Sequence, residues 1–351
     1  MKALQERNTN IEILRLVLMI AIFCWHLIIW GMGFGAIGYQ PYPYPLAPTA
    51  FCLTAFVPAV DCFMFISGWF GIKFKLSKFL KLSFTCSIAA ILCVLVCLLV
   101  PQLGGVNMFE CYGALFPVST TFRWWFITCY ALVFLVSPFV EEGFRYLSQR
   151  TILSVLAIMT AIQLLSLPCD KNYGSTFFGL LYLYIIGRYM RYYNVTLNRW
   201  SATILYASSF LLILVGMFCL SLLPVRQAIL MWWLQFNNPL IILESIAVFF
   251  LFWNLKPFFN RRINRFLAPC LCIYLFTEGI KPYKLIINCA EDNILLGVLF
   301  FVLFIMISLL LGLFVTRIAS LLSDRIGVSI QVIVDRRLIS KDKGNGKSNK
   351  V

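Results

Sequence analysis

The chain holds one histidine in 351 residues, and its 14 acidic side chains face 29 basic ones. Charged residues make up 12% of it, hydrophobic ones 61%, and the mean hydropathy is +0.89. So little charge excludes an ordinary soluble globule. The alternating segments of about 10 residues that a membrane β-barrel needs are also missing. No CxxC pair occurs among the thirteen cysteines. Most of them, Cys24, Cys62, Cys86, Cys93 and Cys97 for example, lie inside apolar runs as small hydrophobes, and only Cys111, Cys169 and Cys289 fall in outer loops. Neither a metal site nor a disulfide framework is expected. The first apolar stretch has no small-residue cleavage site after it, which favours a retained helix over a signal peptide. No internal repeat is evident, which weakens a transporter built from two inverted halves. The net charge of +15 lacks a continuous basic face with interleaved aromatics, so nucleic acid is not the expected partner.

What is present is a succession of apolar runs, each near the roughly 20 residues that span a bilayer. Ten are bounded by charge, proline or glycine: 11–30, 50–70, 79–101, 123–140, 151–168, 176–190, 201–224, 238–256, 267–287 and 293–316. With the N-terminus inside, the inner loops collect Lys73, Lys75, Lys78, Lys81, Arg145, Arg150, Arg191, Arg199, Lys256, Arg261, Arg262 and Arg265. The outer loops are nearly free of base, Lys171 excepted. This asymmetry predicts an all-α, polytopic transmembrane bundle of about ten helices with both termini cytoplasmic. Residues 1–320 form the integral-membrane domain, and 321–351 a basic cytoplasmic tail expected to be disordered. The cell membrane, a bacterial inner or plasma membrane, is the expected location, with membrane lipids as partners. Two outer features read as interfacial: the proline- and tyrosine-rich GYQPYPYPLAP, and VRQAILMWWLQF with Trp232 and Trp233 as anchors.

Within the first run stand Arg15 and His26. Eleven helical positions return to within about 20° of the same face, roughly 16 Å further along the axis. Glu12 is placed to pair with Arg15 three residues on. One reading is structural, an Arg–Glu pair at the surface and a histidine bonded to a neighbouring helix. The other is a passage with a cation at its mouth for an anionic donor and an imidazole, the side chain suited to general-base work near neutrality, at its end. Asp61 is a carboxylate in an apolar run, and Ser67-Gly68 permits close helix approach. Lys73, Lys75 and Lys78 read equally as positive-inside charge or as phosphate ligands. Trp124 and Trp125 read as interface anchors before substrate contacts. Glu244 and Glu278 stand as buried carboxylates, structural partners or substrate ligands.

The phrases RNTNIEILRLVLMIAIFCWH, VDCFMFISGWF, RWWFITCYALVFLVSPFV, LYLYIIGRYM and APCLCIYLF occur in an order and spacing that resembles the acyltransferase-3 family of integral-membrane acyltransferases. The Arg15-x10-His26 spacing is the most specific part of the resemblance, which covers helices one to nine. It implies transfer of an acyl group, usually acetyl, from cytoplasmic acyl-CoA to a hydroxyl of a carbohydrate or lipid-linked glycan, with no metal. By position His26 is the catalytic histidine and Arg15 its helix partner. The remaining substrate contacts expected are Glu12, Asp61, Ser67, Trp125, Tyr274 and Glu278, with Lys73, Lys75 and Lys78 on the donor. Where family members often carry a histidine after the Tyr-Leu pattern of helix nine, this chain reads Tyr274-Leu275-Phe276-Thr277-Glu278, so a role there falls to Glu278 or Thr277. His26 acts either by deprotonating the acceptor or by carrying the acyl group itself. The competing classes are a transporter or flippase of a lipid-linked sugar, and a glycan polymerase.

Overall fold

The computed structural model describes residues 8–34, 46–100, 103, 106–118, 124–221 and 227–345. Helix α1 (Thr9–His26) starts at Asn8, whose side chain accepts a hydrogen bond from the Asn10 amide, and carries Glu12 in its first turn, where the helix dipole favours an anion. At His26 the winding loosens into one π-helical turn (Leu27–Gly31). Helices α2 (Leu46–Phe56) and α3 (Ala59–Phe70) replace the single helix expected over 50–70. Pro58 lacks an amide hydrogen and disfavours helical backbone at Val57, so the helix breaks there. Then come α4 (Leu76–Leu99), the short α5 (Met108–Leu115), α6 (Trp125–Tyr146), α7 (Gln149–Ser166), α8 (Phe177–Tyr192), α9 (Arg199–Ser221) and α10 (Gln227–Trp233). The chain closes with α11 (Pro239–Trp253), α12 (Arg261–Leu267), α13 (Leu271–Ile280), α14 (Tyr283–Asp292) and α15 (Ile294–Asn345), with no strand among the described residues.

Among the described residues, eight helical segments are long and apolar enough to cross a membrane, which defines a polytopic helical bundle. The runs expected at 176–190 and 238–256 are helical as α8 and α11 but span only 16 and 15 residues. At about 1.5 Å per residue they reach less than the roughly 30 Å hydrocarbon core. The expected helix over 267–287 is broken into pieces. Lys281 takes a left-handed conformation (φ 55°) immediately before Pro282, and the chain turns sharply between α13 and α14. At the end of the chain α15 runs on as helix through 321–345, the segment expected to lack structure. That stretch holds no proline and only Gly327 and Gly344 to weaken a helix. The loop residues 35–45, most of the proline- and tyrosine-rich segment, lie outside the described residues.

The centre of the bundle is α3, in which Asp61, Cys62, Met64, Phe65, Ile66 and Trp69 are all at most 1% exposed. It packs against α8, α11 and α1. The approach to α8 depends on glycine at both sides: a Cβ on Gly68 would fall 2.2 Å from the Tyr184 carbonyl oxygen, and one on Gly187 2.5 Å from that of Phe65. Aromatic rings seal the other side, with Trp69 against Phe249, Phe250 and Trp253. The periphery is the reverse: Ile204, Leu211 and Leu212 of α9 and Leu295, Leu299 and Phe314 of α15 are exposed, as lipid-facing helices require.

Two rims follow from this packing. At the first, the start of α1 meets the chain just past α11: the Thr9 amide donates to Phe258 O and the Asn10 side chain to Lys256 O. The C-terminal ends of α3 and α8 lie here too, since Arg191 stands over Trp69 and Trp253. Toward the opposite rim lie the π-helical turn, the α2–α3 break, the start of α6 and the α13–α14 turn.

Candidate active site

Three interruptions of regular helix gather around His26. Its own helix changes winding just past it, the Val57-Pro58 break faces it, and the α13–α14 turn closes beside it. Irregular backbone at membrane depth persists only where protein or a cavity surrounds it. Both conditions hold, for a cavity of about 30 Å³ is walled by Met19, Ile22, His26, Val57, Trp125 and Tyr274, with Phe126 and Phe236 among the rest. That is room for about a water or two, not for a substrate arm.

The partner of His26 comes from α13. Nδ1 of His26 lies 3.1 Å from Oε1 of Glu278. The approach is a close contact and not an aligned hydrogen bond. Across the turn, the Tyr283 hydroxyl donates to the same Glu278 oxygen. The left-handed Lys281 with Pro282 is what reverses the chain enough to bring Tyr283 onto a carboxylate five residues earlier. Thr277, the residue in place of a possible histidine, is fully buried, and its hydroxyl donates to Tyr274 O at 3.0 Å. The result is an imidazole–carboxylate–phenol chain with the ring partly exposed at the cavity wall. The Glu278 carboxylate thus stands behind Nδ1, and Nε2 is the ring's other nitrogen.

Arg15 lies on the same stripe of α1, four residues before Met19. Its guanidinium pairs with Glu12 at 2.7 Å, and Glu12 is buried while Arg15 keeps a partly exposed edge. Arg15 also acts electrostatically on Tyr130 and Cys270, which places it among α6 and the start of α13. The cavity wall includes Met19, Ile22 and His26 of the stripe but not Arg15, so the passage expected to join the two is not open along its length. Phe126 stacks with Tyr130 at 5.9 Å and sits edge-on to Tyr274 at 6.0 Å, filling the space between.

The other expected residues divide. Trp125 lines the cavity and stacks on Phe236 at 5.8 Å, and Trp124 is fully buried, so neither is an interface anchor. Trp232 and Trp233 are likewise held by protein, donating to Leu167 O and Ile213 O. Tyr274 lines the cavity. Ser67 donates to Phe63 O at 3.2 Å and lies near Tyr130, midway between the ends of the stripe. Asp61 follows the cavity-lining Val60 but is no part of the wall; its carboxylate is fully buried with no hydrogen-bond partner among the described residues. Glu244 is in the same condition on α11, beside Tyr206. Lys73, Lys75 and Lys78 are exposed at the first rim, far along α3 from His26. Among the described residues no three metal-ligating side chains gather.

Tyr283, Phe126 and Phe236 are cavity or relay residues that the sequence reading passes over. Only Tyr283 left a trace in the sequence, the polar break and proline just before it.

The described residues thus form a polytopic helical bundle with a histidine and a carboxylate paired at the wall of an internal cavity. The family model of the acyltransferase domain matches residues 8–317, nearly the whole chain, and the protein belongs to that acyltransferase-3 family. No curated protein and no solved structure matches it. It is a multi-pass membrane acyltransferase.

Proposed function

We propose that this chain moves an acyl group, acetyl by preference, from cytoplasmic acyl-CoA to a hydroxyl of a carbohydrate or lipid-linked glycan, in a bacterial plasma membrane. The observation that carries the reading is the His26–Glu278–Tyr283 chain at the cavity wall. In the direct form, Nε2 of His26 takes the proton of the acceptor hydroxyl as its oxygen attacks the thioester carbonyl. The tetrahedral intermediate collapses with cleavage of the C–S bond, and the imidazolium returns its proton to the departing thiolate. Glu278 stabilises the imidazolium, and Tyr283 holds Glu278 in place. In the relay form Nε2 of His26 attacks the thioester carbonyl and the C–S bond breaks, releasing the thiolate; the acceptor hydroxyl then attacks the acyl-imidazole, the C–N bond breaks, and the hydroxyl's proton passes to the thiolate, leaving the thiol and a neutral His26.

The first rim supplies the donor's anchor. Arg15 with Lys73, Lys75 and Lys78 would take its phosphates, and the pantetheine arm would follow the α1 stripe inward. Phe126 and Tyr130 must give way for that arm to pass. At the other end, Trp125 and Phe236 offer a flat apolar wall for the acceptor.

The interrupted helices favour one second reading, a carrier of a lipid-linked sugar, since transporters use discontinuous helices at their substrate sites. Labelled acyl-CoA given to membranes separates the two. Incorporation of label into the glycan fraction, lost in His26→Ala, is the expected result; substrate movement without acyl exchange would refute the transferase. A labelled adduct on His26 selects the relay form.

A further inference from the structure

The last turns of α8 carry two arginines three residues apart in opposite circumstances. Arg188 is committed to the fold. One terminal nitrogen donates to Glu141 Oε2 at 2.7 Å, and its Nε lies in ion-pair contact 2.7 Å from Oε1. The Tyr184 hydroxyl donates to that carboxylate and accepts from the Ile72 amide at 3.1 Å, tying the Gly71–Lys75 loop to α6 and α8. Arg191 makes none of these bonds. Its guanidinium carbon lies 5.4 Å from the centre of the Trp69 ring and 5.8 Å from that of Trp253, and the two rings meet edge-on at 5.2 Å. Trp69 is 1% exposed and further braced by Phe249 and Phe250, so the aromatic seat is rigid. Arg191 itself is exposed, and no described acceptor takes its N–H groups. Glu141 is occupied by Arg188 and Glu142 by Arg145, so neither neutralises it.

A planar cation held against aromatic faces, with its forked donors turned to solvent, is prepared for an oxyanion that accepts two parallel hydrogen bonds. The same Trp69 that seats Arg191 lies two residues before Gly71 and four before Lys73, so this group and the basic loop share one rim. We infer that Arg191 is an anion-binding subsite for a phosphate ester, and that the ester is the nucleotide end of the thioester donor. The inference rests on the acyl-CoA reading above. Phosphate esters at this rim come from two sources, the donor and the headgroups of anionic lipids. The donor fits better because Arg191 belongs to a buried aromatic seat at the end of central helices, beside the loop that Tyr184 immobilises.

The test uses the full chain reconstituted into vesicles, one set of phosphatidylcholine alone and one containing phosphatidylglycerol. Binding of labelled acetyl-CoA is measured directly, and S-acetylpantetheine, which lacks the nucleotide phosphates, is measured by displacement. Arg191→Gln should weaken acetyl-CoA binding about tenfold in both vesicles, the scale of one charge-assisted fork at an exposed site, and leave S-acetylpantetheine unchanged. Arg191→Lys, which keeps the charge without the planar fork, should fall between. Unchanged S-acetylpantetheine affinity also reports that the variant is folded. If the wild type binds acetyl-CoA and Arg191→Gln binds it equally, the subsite is refuted while the acyl-CoA reading stands. An effect confined to phosphatidylglycerol vesicles would assign the phosphate to lipid and overturn the donor assignment. Failure of the wild type to bind acetyl-CoA in either vesicle would overturn both.

Discussion

The two ends of α1 place a polar side chain at membrane depth by different means. At the first rim Arg15 is satisfied locally, by Glu12 one turn earlier on an uninterrupted helix. The cations around it are held by regular elements as well: Arg188 by a carboxylate of α6, Arg191 by rings at the ends of α3 and α11. At the other end His26 finds its partner from the far end of the chain, and the helices around it are broken or loosened. Regular helices with paired charges suit binding, because they hold a cation in place without exposing backbone. Broken helices suit chemistry, because turns let side chains from several segments converge on one atom. The first end is built by neighbours in sequence, the second by neighbours in space.

Substitutions can break this contrast. The largest effect on rate is expected at Glu278→Gln, which keeps the size of the side chain but removes the charge behind His26. Labelled acyl transfer into membrane glycans should fall on the order of 10³-fold, with acetyl-CoA binding retained. A loss in binding equal to the loss in rate would show that Glu278 acts at the donor and not through the histidine. Next is Gly68→Ala, which probes the rigid side. A Cβ there meets backbone, not a flexible side-chain end, so the α3–α8 crossing must open. Destabilisation of about 3 kcal/mol is expected, read as a lower unfolding temperature in detergent. Both ends of α1 should then fail together, since α3 borders each of them.

Tyr283→Phe sharpens the comparison at smaller scale. It deletes one hydroxyl and leaves the Glu278 carboxyl in place but less restrained, so the transfer rate should fall about tenfold while the unfolding temperature stays close to the wild type. A fall in the unfolding temperature with no change in rate would make Tyr283 a packing residue only. Smallest of all, Lys75→Gln at the exposed rim should weaken acetyl-CoA binding two- to fourfold at low salt and hardly at all at high salt, because screening suppresses exposed charges. A salt-independent loss would place Lys75 in a desolvated contact and remove the distinction between the rims.

Sequence patterns carried the first rim well and the second poorly. Apolar run lengths located nearly every helix, and the helical period put Arg15 and His26 on one stripe. They placed Glu278 in the right helix yet gave it no partner, because nothing local links positions 26 and 278. The aromatics show the same limit. Trp124, Trp125, Trp232 and Trp233 look alike as interface residues in a linear reading, yet one is fully buried, one stacks in the cavity wall and two donate to carbonyls of other helices. Arg191 read only as positive-inside charge, and its seat on Trp69 and Trp253 appeared with the folded chain.

From its amino acids alone this protein had to be a membrane bundle with a cation and an imidazole in line, because bilayer thickness and the 100° helical step act on adjacent residues. The identity of the group behind the imidazole, the aromatic wall in front of it and the seat under Arg191 came only with the folded chain. Those contacts join segments separated by hundreds of residues, and packing across a proline break or a left-handed turn follows no local period.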